Sequence, residues 1–218
     1  MDIRFDIIVD YMPLFLKGTL LTIGLALAGV TIGLIFGLLI GLGKMSSNPL
    51  IRFPFVWYIN IFRGTPFLVQ ILLIHFGVVP LFMTPANPIV SAIIALSLNS
   101  AAYIAEIFRA GIQSIDKGQM EAARSLGMSH IQAMKLVILP QAVKRMIPPL
   151  GNEFIVLLKE TSLAAIIAAP ELMYWGRVAG GQYMRVWEPY LTAAAIYLVL
   201  TLSLTYLMDY IERRMKTE

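Results

Sequence analysis

Residues 120 to 145 read MEAARSLGMSHIQAMKLVILPQAVKR, a polar segment in a chain that is 58% hydrophobic and only 14% charged. Glu121, Arg124, Lys135, Lys144 and Arg145 make it too polar to enter lipid, yet Ile131, Met134, Val137 and Ile138 recur within it and call for burial. Glu121, Ala122 and Ala123 favour a helix, Gly127 supplies a stop, and a second amphipathic stretch follows that Pro140 ends. The segment reads as a short helix, a glycine turn and another helix, built to dock on a partner.

On both sides of it the chain is apolar over bilayer lengths. The mean hydropathy is +0.77, and apolar runs cover residues 14 to 43, 54 to 79, 88 to 108, 146 to 169 and 189 to 210. Each meets the requirement of about 20 residues for a spanning helix. The expected fold is therefore all-α: a polytopic membrane protein with about five transmembrane helices, one domain over residues 1–218, and a polar loop at about 109–145. There is no internal repeat or low-complexity tract. Asp2 and Asp6 flank the first run and no small-residue cleavage site follows it, so it is expected to be a retained span and not a signal peptide.

Basic residues set the orientation. With the N-terminus outside, the inner side holds Lys44, Arg52, Arg109, Lys117, Arg124, Lys135, Lys144, Arg145, Arg213, Arg214 and Lys216, eleven residues. The outer side holds four: Arg4, Lys17, Arg177 and Arg185. This bias places the polar loop and the C-terminal tail in the cytoplasm. The net charge of +4 is thus a topology signal, and no interleaved basic and aromatic stripe suggests nucleic acid.

Enzyme constellations are not found. The chain has no Cys, which removes thiol nucleophiles and Cys-ligated metals. His75 and His130 belong to no HExxH pair. Ser91, Ser97 and Ser100 have no His partner, so hydrogen bonding to backbone or across helices is the expected role. GLLIGLGKMS fails as a phosphate loop, because Leu38 stands where the first Gly is required and Met45 where Ser or Thr must follow Lys44. Gly29, Gly33, Gly37 and Gly41 share one helix face and allow another helix to approach closely, either within the subunit or between two subunits.

Glu121-Ala122-Ala123, Gly127 and Ile138-Leu139-Pro140 resemble the EAA signature of permease subunits of ATP-binding-cassette importers. FRGTPFLVQ at 62 to 70 and AAYIAEIFRAGIQSIDKGQMEAARSLG at 101 to 127 are similar to its polar amino-acid branch, over nearly the whole chain. One departure is that a single residue, Leu139, separates Ile138 from Pro140, so Ile138 neighbours the family's Ile position. The resemblance implies that Glu121, Ala122, Ala123, Ser125, Leu126 and Gly127 form a coupling helix seated on a cytoplasmic ATPase subunit. Mg-ATP would be bound and hydrolysed there, with no cofactor in this chain. It further implies two ATPase copies, a second permease copy expected to be identical, an extracytoplasmic amino-acid-binding protein, a cell-membrane location and alternating access.

Substrate chemistry must come from polar groups that the bilayer penalises. Glu153 and Glu160 lie seven apart, on nearly one face of the fourth span, while Asn152 and Lys159 share the adjoining face. With Asn99 and Ser100 of the third span they are the candidate substrate-binding residues. The competing reading pairs Lys159 and Glu160 with other helices and bonds Asn99 to backbone. Glu106 and Arg109 are expected as an interfacial ion pair, and Arg63 as a support for carbonyls freed by Pro66, with substrate contact as its alternative. An excess of carboxylates points to a basic amino acid, such as arginine, lysine or histidine. Glutamine or another neutral or acidic amino acid is the alternative, and a membrane-embedded enzyme a weaker one.

Overall fold

The computed structural model describes residues 4–216. Asp2, the side chain of Lys216 and residues 217 and 218, which entered the reading of flank and tail, lie outside the described residues. Among those described, every regular element is helical. The elements are α1 (Phe5–Lys44), α2 (Pro49–Gly64), α3 (Phe67–Leu73), α4 (Pro88–Gln113), α5 (Lys117–Ser125), α6 (His130–Ala133), α7 (Leu139–Glu160), α8 (Leu172–Tyr183) and α9 (Trp187–Lys216).

Three of these, α1, α4 and α9, are long and apolar enough to cross a membrane by themselves. The second expected span is broken: α2 and the helical run that continues α3 to Leu81 meet at a bend of 109°. The cause is local. Thr65 precedes Pro66 and is driven into extended backbone (φ −122°, ψ 147°), which stops α2 at Gly64. The fourth expected span corresponds to α7 and a 3-10 turn over Thr161–Ile167, and Glu153, Lys159 and Glu160 make residues 146 to 169 the most charged of the five expected spans.

α4 is the centre, buried along most of its length, and α1 lies along it. Their seam is made by the four glycines. A Cβ on Gly29 would meet Leu96 at 3.0 Å, one on Gly33 the Ser100 side chain at 2.9 Å, and one on Gly37 Ile104 Cγ2 at 2.8 Å. Gly41 faces the Ala105 carbonyl. A spacing of four on α1 is thus matched by a spacing of four on α4, and the glycine face is a seam inside the subunit. α8 and α9 pack on the N-terminal half of α1 around Tyr11, Phe15, Leu172, Ala179 and Ala193. Away from these contacts α1 and α9 expose Leu20, Ile35, Leu198, Val199 and Tyr206, as lipid-facing helices do.

The polar segment departs from expectation at its end. α5 begins at Lys117, capped by Asp116 Oδ1, which accepts from Gly118 N at 2.7 Å. Gly127 closes it with φ +85°, Gly127 N donating to Arg124 O (3.0 Å) and Met128 N to Ala123 O (3.2 Å). Ser129 and Gln132 form a capping box for α6. Pro140, however, does not stop the chain: a π turn over Met134–Ile138 leads into α7 with Pro140 in its first turn, where no N–H donor is needed.

Replacing Gly37 by Leu should lower the thermal unfolding midpoint of the solubilised protein by several degrees, since the added atoms strike Ile104 and the Ala101 carbonyl. Gly24→Leu, on the open face of the same helix with nothing within 4 Å of its Cβ, should leave the midpoint nearly unchanged. Equal midpoints would remove the seam from the account.

Candidate membrane site and coupling surface

Polar centres are built into the helices, among them one at the break in the second span and one on α7. At the break, the carbonyls freed by Pro66 need donors, because lipid supplies none. Gln70, one turn into α3, provides them: its Nε2 donates to Phe62 O (2.8 Å), Thr65 O (3.0 Å) and Thr65 Oγ1 (2.9 Å). Thr65 Oγ1 in turn donates to Ile61 O (2.7 Å). Gln70 Oε1 accepts from Asn99 Nδ2 at 2.8 Å, which ties the break to α4. The support expected from Arg63 is therefore given by Gln70, and Arg63 points elsewhere.

Arg63 turns to Glu106. That carboxylate meets three cations: Lys44 Nζ on Oε1, Arg109 Nη2 (2.8 Å) and Nε (3.1 Å) on Oε2, and Arg63 Nη1 at 3.7 Å. The expected Glu106–Arg109 pair is present, and Lys44 and Arg63 join α1 and α2 to it. The Arg63 guanidinium also lies over the Tyr103 ring, 5.2 Å from its centroid.

On α7 the candidate residues separate. Glu153 is on the buried face with Ala142, Met146 and Leu157, 7% exposed, and makes no ion pair among the described residues. Ser100 of α4 is beside it without completing hydrogen-bond geometry, and Glu160 is the neighbouring carboxylate, half-buried two turns on. Asn152 is exposed. Lys159 is exposed as well and lines a different cleft, with Ser162, Met173, Tyr190 and Tyr197 of the α8–α9 side. The arrangement thus brings Glu153, Ser100 and Glu160 together, directs Lys159 away, and commits the Asn99 amide N–H to Gln70. Neither Lys159 nor Glu160 makes an ion pair within 4 Å among the described residues.

Of the serines, Ser91 Oγ bonds Asn87 O (3.0 Å) and His75 Nδ1 (2.9 Å), whereas Ser97 Oγ is buried without a partner. A buried cluster that the sequence reading passed over sits at the start of α8. Glu171, fully buried, accepts from Met173 N (2.9 Å), Tyr174 N (2.7 Å), Tyr197 OH (2.7 Å) and Thr22 Oγ1 (3.3 Å), joining α1, α8 and α9. Its visible signal was an acidic residue directly after Pro170, the pattern of a helix start. Gln70 had one too: an amide donor one turn beyond a proline break.

In the polar segment, Ala123 is buried while Glu121, Ala122, Ser125, Leu126 and Gly127 are exposed. Ile138 packs with Ile115, Ala142 and Met146, and Met134 and Val137 pack against that cluster. Ile131 stays 77% exposed and Leu126 82% exposed, so burial of Ile131 within this chain does not occur. The segment offers an apolar surface with polar surroundings.

Residues 12–217 match the family described as binding-protein-dependent transport system inner membrane component. The chain belongs to this family, and it is a multi-pass permease of an amino-acid ATP-binding-cassette importer. Among its relatives, the arginine transport system permease protein ArtQ of Bacillus subtilis (strain 168) is 38% identical, covering 100% of this chain and 99% of its own. The glutamine transport system permease protein GlnP of Escherichia coli (strain K12) is 36% identical, covering 94% of each. A crystal structure of an amino acid ABC transporter with histidines superposes with a TM-score of 0.93 at 46% identity, over 98% of this chain and 100% of that one.

Gln70→Leu should destabilise the protein by about 3 kcal/mol or more, because the Phe62 and Thr65 carbonyls and the Asn99 amide lose their partner at about 1–3 kcal/mol each. Reversible unfolding in detergent measures this, and wild-type stability would show that the break is held by other groups.

Proposed function

We propose that this chain is the membrane-spanning subunit of an importer for basic amino acids such as arginine, lysine or histidine. The observation that carries the reading is Glu153: a carboxylate 7% exposed inside the helix bundle, with a second carboxylate, Glu160, as neighbour and no cation within ion-pair distance among the described residues. A cationic side chain supplies the missing charge, and a guanidinium does so through two parallel hydrogen bonds. Ser100 adds a hydroxyl beside the carboxylate. The crystallised relative with histidines and the arginine relative favour this class. A neutral substrate is the second reading, favoured by the similarity to a glutamine permease over 94% of each chain.

Coupling follows from the polar segment. Leu126, Ile131 and Leu136 are exposed on a loop that is anchored through Ile115 and Ile138 to α4 and α7, so a subunit docking there can move both helices. That docked subunit is the cytoplasmic ATPase, where Mg-ATP is bound; this chain contributes no nucleotide ligand. Two ATPase copies, a second permease copy and an extracytoplasmic binding protein complete the assembly, with the N-terminus outside and the C-terminus in the cytoplasm. Closure of the ATPase pair then shifts the bundle between inward-open and outward-open states.

Gly127→Val should separate transport from folding. A β-branched residue at φ +85° is strained, and the α5–α6 turn would shift. Substrate-stimulated ATPase activity should be lost or the ATPase should detach on purification, while the helical content stays unchanged. Stimulation at the wild-type level would remove the segment from the coupling role.

Glu153→Gln keeps the shape and removes the charge. Uptake of arginine, lysine or histidine into vesicles with the ATPase subunits should fall about tenfold or more, equivalent to about 1.4 kcal/mol. If basic solutes enter as before with coupling intact, Glu153 is structural. If wild-type vesicles take up glutamine and no basic solute, the neutral reading replaces this one.

A further inference from the structure

Positive charge around Glu106 exceeds what that carboxylate can neutralise. Its Oε1 takes Lys44 and its Oε2 takes Arg109 through two N–H groups, which leaves Arg63 at 3.7 Å, outside hydrogen-bond range. Arg145 of α7 faces the same space, with Nη1 donating to Ser114 O. The result is a cleft of about 530 Å³ between α2, α4 and α7 in which Glu106 is the single acid among the lining residues. A second cleft of about 430 Å³ adjoins it across the Arg109 side chain, lined by Lys44, Arg52 and Arg109 and by no acid. Five cations therefore line the two clefts, with one carboxylate among the lining residues.

Two guanidiniums, Arg63 and Arg145, come from different helices and border one cavity. Arg63 has its face on the Tyr103 ring and 42% of its side chain exposed, which leaves its N–H edge open to the cleft. Arg145 has five N–H donors and one assigned acceptor. Planar forks of this kind match the oxygens of a phosphate, and the cleft is far larger than a halide needs. Lys44 is the last residue of α1 and Arg109 lies in the last turns of α4, so the cleft is at the end of the membrane-spanning helices, at headgroup depth.

We infer that this cleft is an oxyanion site for a phosphate group, with Arg63 and Arg145 as its principal ligands. The headgroup of an anionic phospholipid and a soluble phosphate share this chemistry. An occupant would link α2, α4 and α7 beside the start of α5, and it would balance a charge excess that Glu106 leaves.

The test uses the permease purified with its ATPase subunits in nanodiscs of phosphatidylcholine, with or without phosphatidylglycerol. Native mass spectrometry reads retained phosphatidylglycerol, and calorimetry with inorganic phosphate, against chloride at equal ionic strength, reads soluble anion binding in the neutral nanodiscs. Arg63→Gln combined with Arg145→Gln should weaken whichever binding is present about thirtyfold, two basic residues at about 1 kcal/mol each. Lys117→Gln with Lys135→Gln, outside the cleft, should change it little. Loss of lipid retention alone assigns the site to a headgroup, and loss of phosphate binding alone assigns it to a soluble anion. If the glutamine pair does not fold, Arg63→Lys with Arg145→Lys keeps the charge and should still lose part of the affinity through the missing forks. Wild-type protein that binds neither probe, or a folded variant pair that binds as the wild type does, overturns the inference.

Discussion

The close approach of α1 and α4 is the constraint on which the rest of the structure depends. In lipid there is little hydrophobic gain in bringing two apolar helices together, so association rests on dispersion contacts between well-fitted surfaces. Gly29, Gly33, Gly37 and Gly41 remove the side chains that would hold the axes apart, and Leu96, Ser100, Ala101 and Ile104 fill the space. This contact fixes α4 as the buried centre. It also fixes which face of α4 remains for other helices: Asn99 turns to Gln70, and Ser100 lies between the seam and Glu153.

Around that centre, polar groups are placed according to what the bilayer denies them. A proline break inside a span exposes carbonyls, and Gln70 meets them with a single amide while linking to Asn99. A helix start within the apolar layer exposes N–H groups, and Glu171 accepts two of them while holding Tyr197 and Thr22. Both solutions satisfy backbone first and join helices second. Glu153 differs from them: it is buried without an ion pair or a completed set of donors among the described residues.

The polar segment and the Glu153 region are joined by α7 and α4. Ile138, Ala142 and Met146 continue from the polar loop into the helix that carries Glu153, and Ile115 does the same for α4. No flexible linker intervenes, because the chain passes Pro140 by a π turn and not by ending the helix. A displacement of the loop is therefore passed on to the helices that flank the carboxylate.

The sequence by itself determined the class of the protein: apolar run lengths, the glycine spacing, the helix–glycine–helix segment and the Glu106–Arg109 spacing are local patterns, and local patterns dictate helices, turns and i,i+3 pairs. It also placed Glu153 on a face without an internal partner. Tertiary structure decided what those residues touch. That Arg63 serves Glu106 and not the broken helix, and that Lys159 leaves the Glu153 face, follow from how α2, α4 and α9 pack around α7 and α1. Long side chains such as Arg63 and Lys159 reach several ångströms in any of several rotamers, so their partners are chosen by the helices that arrive beside them, and spacing along one helix carries no record of that choice.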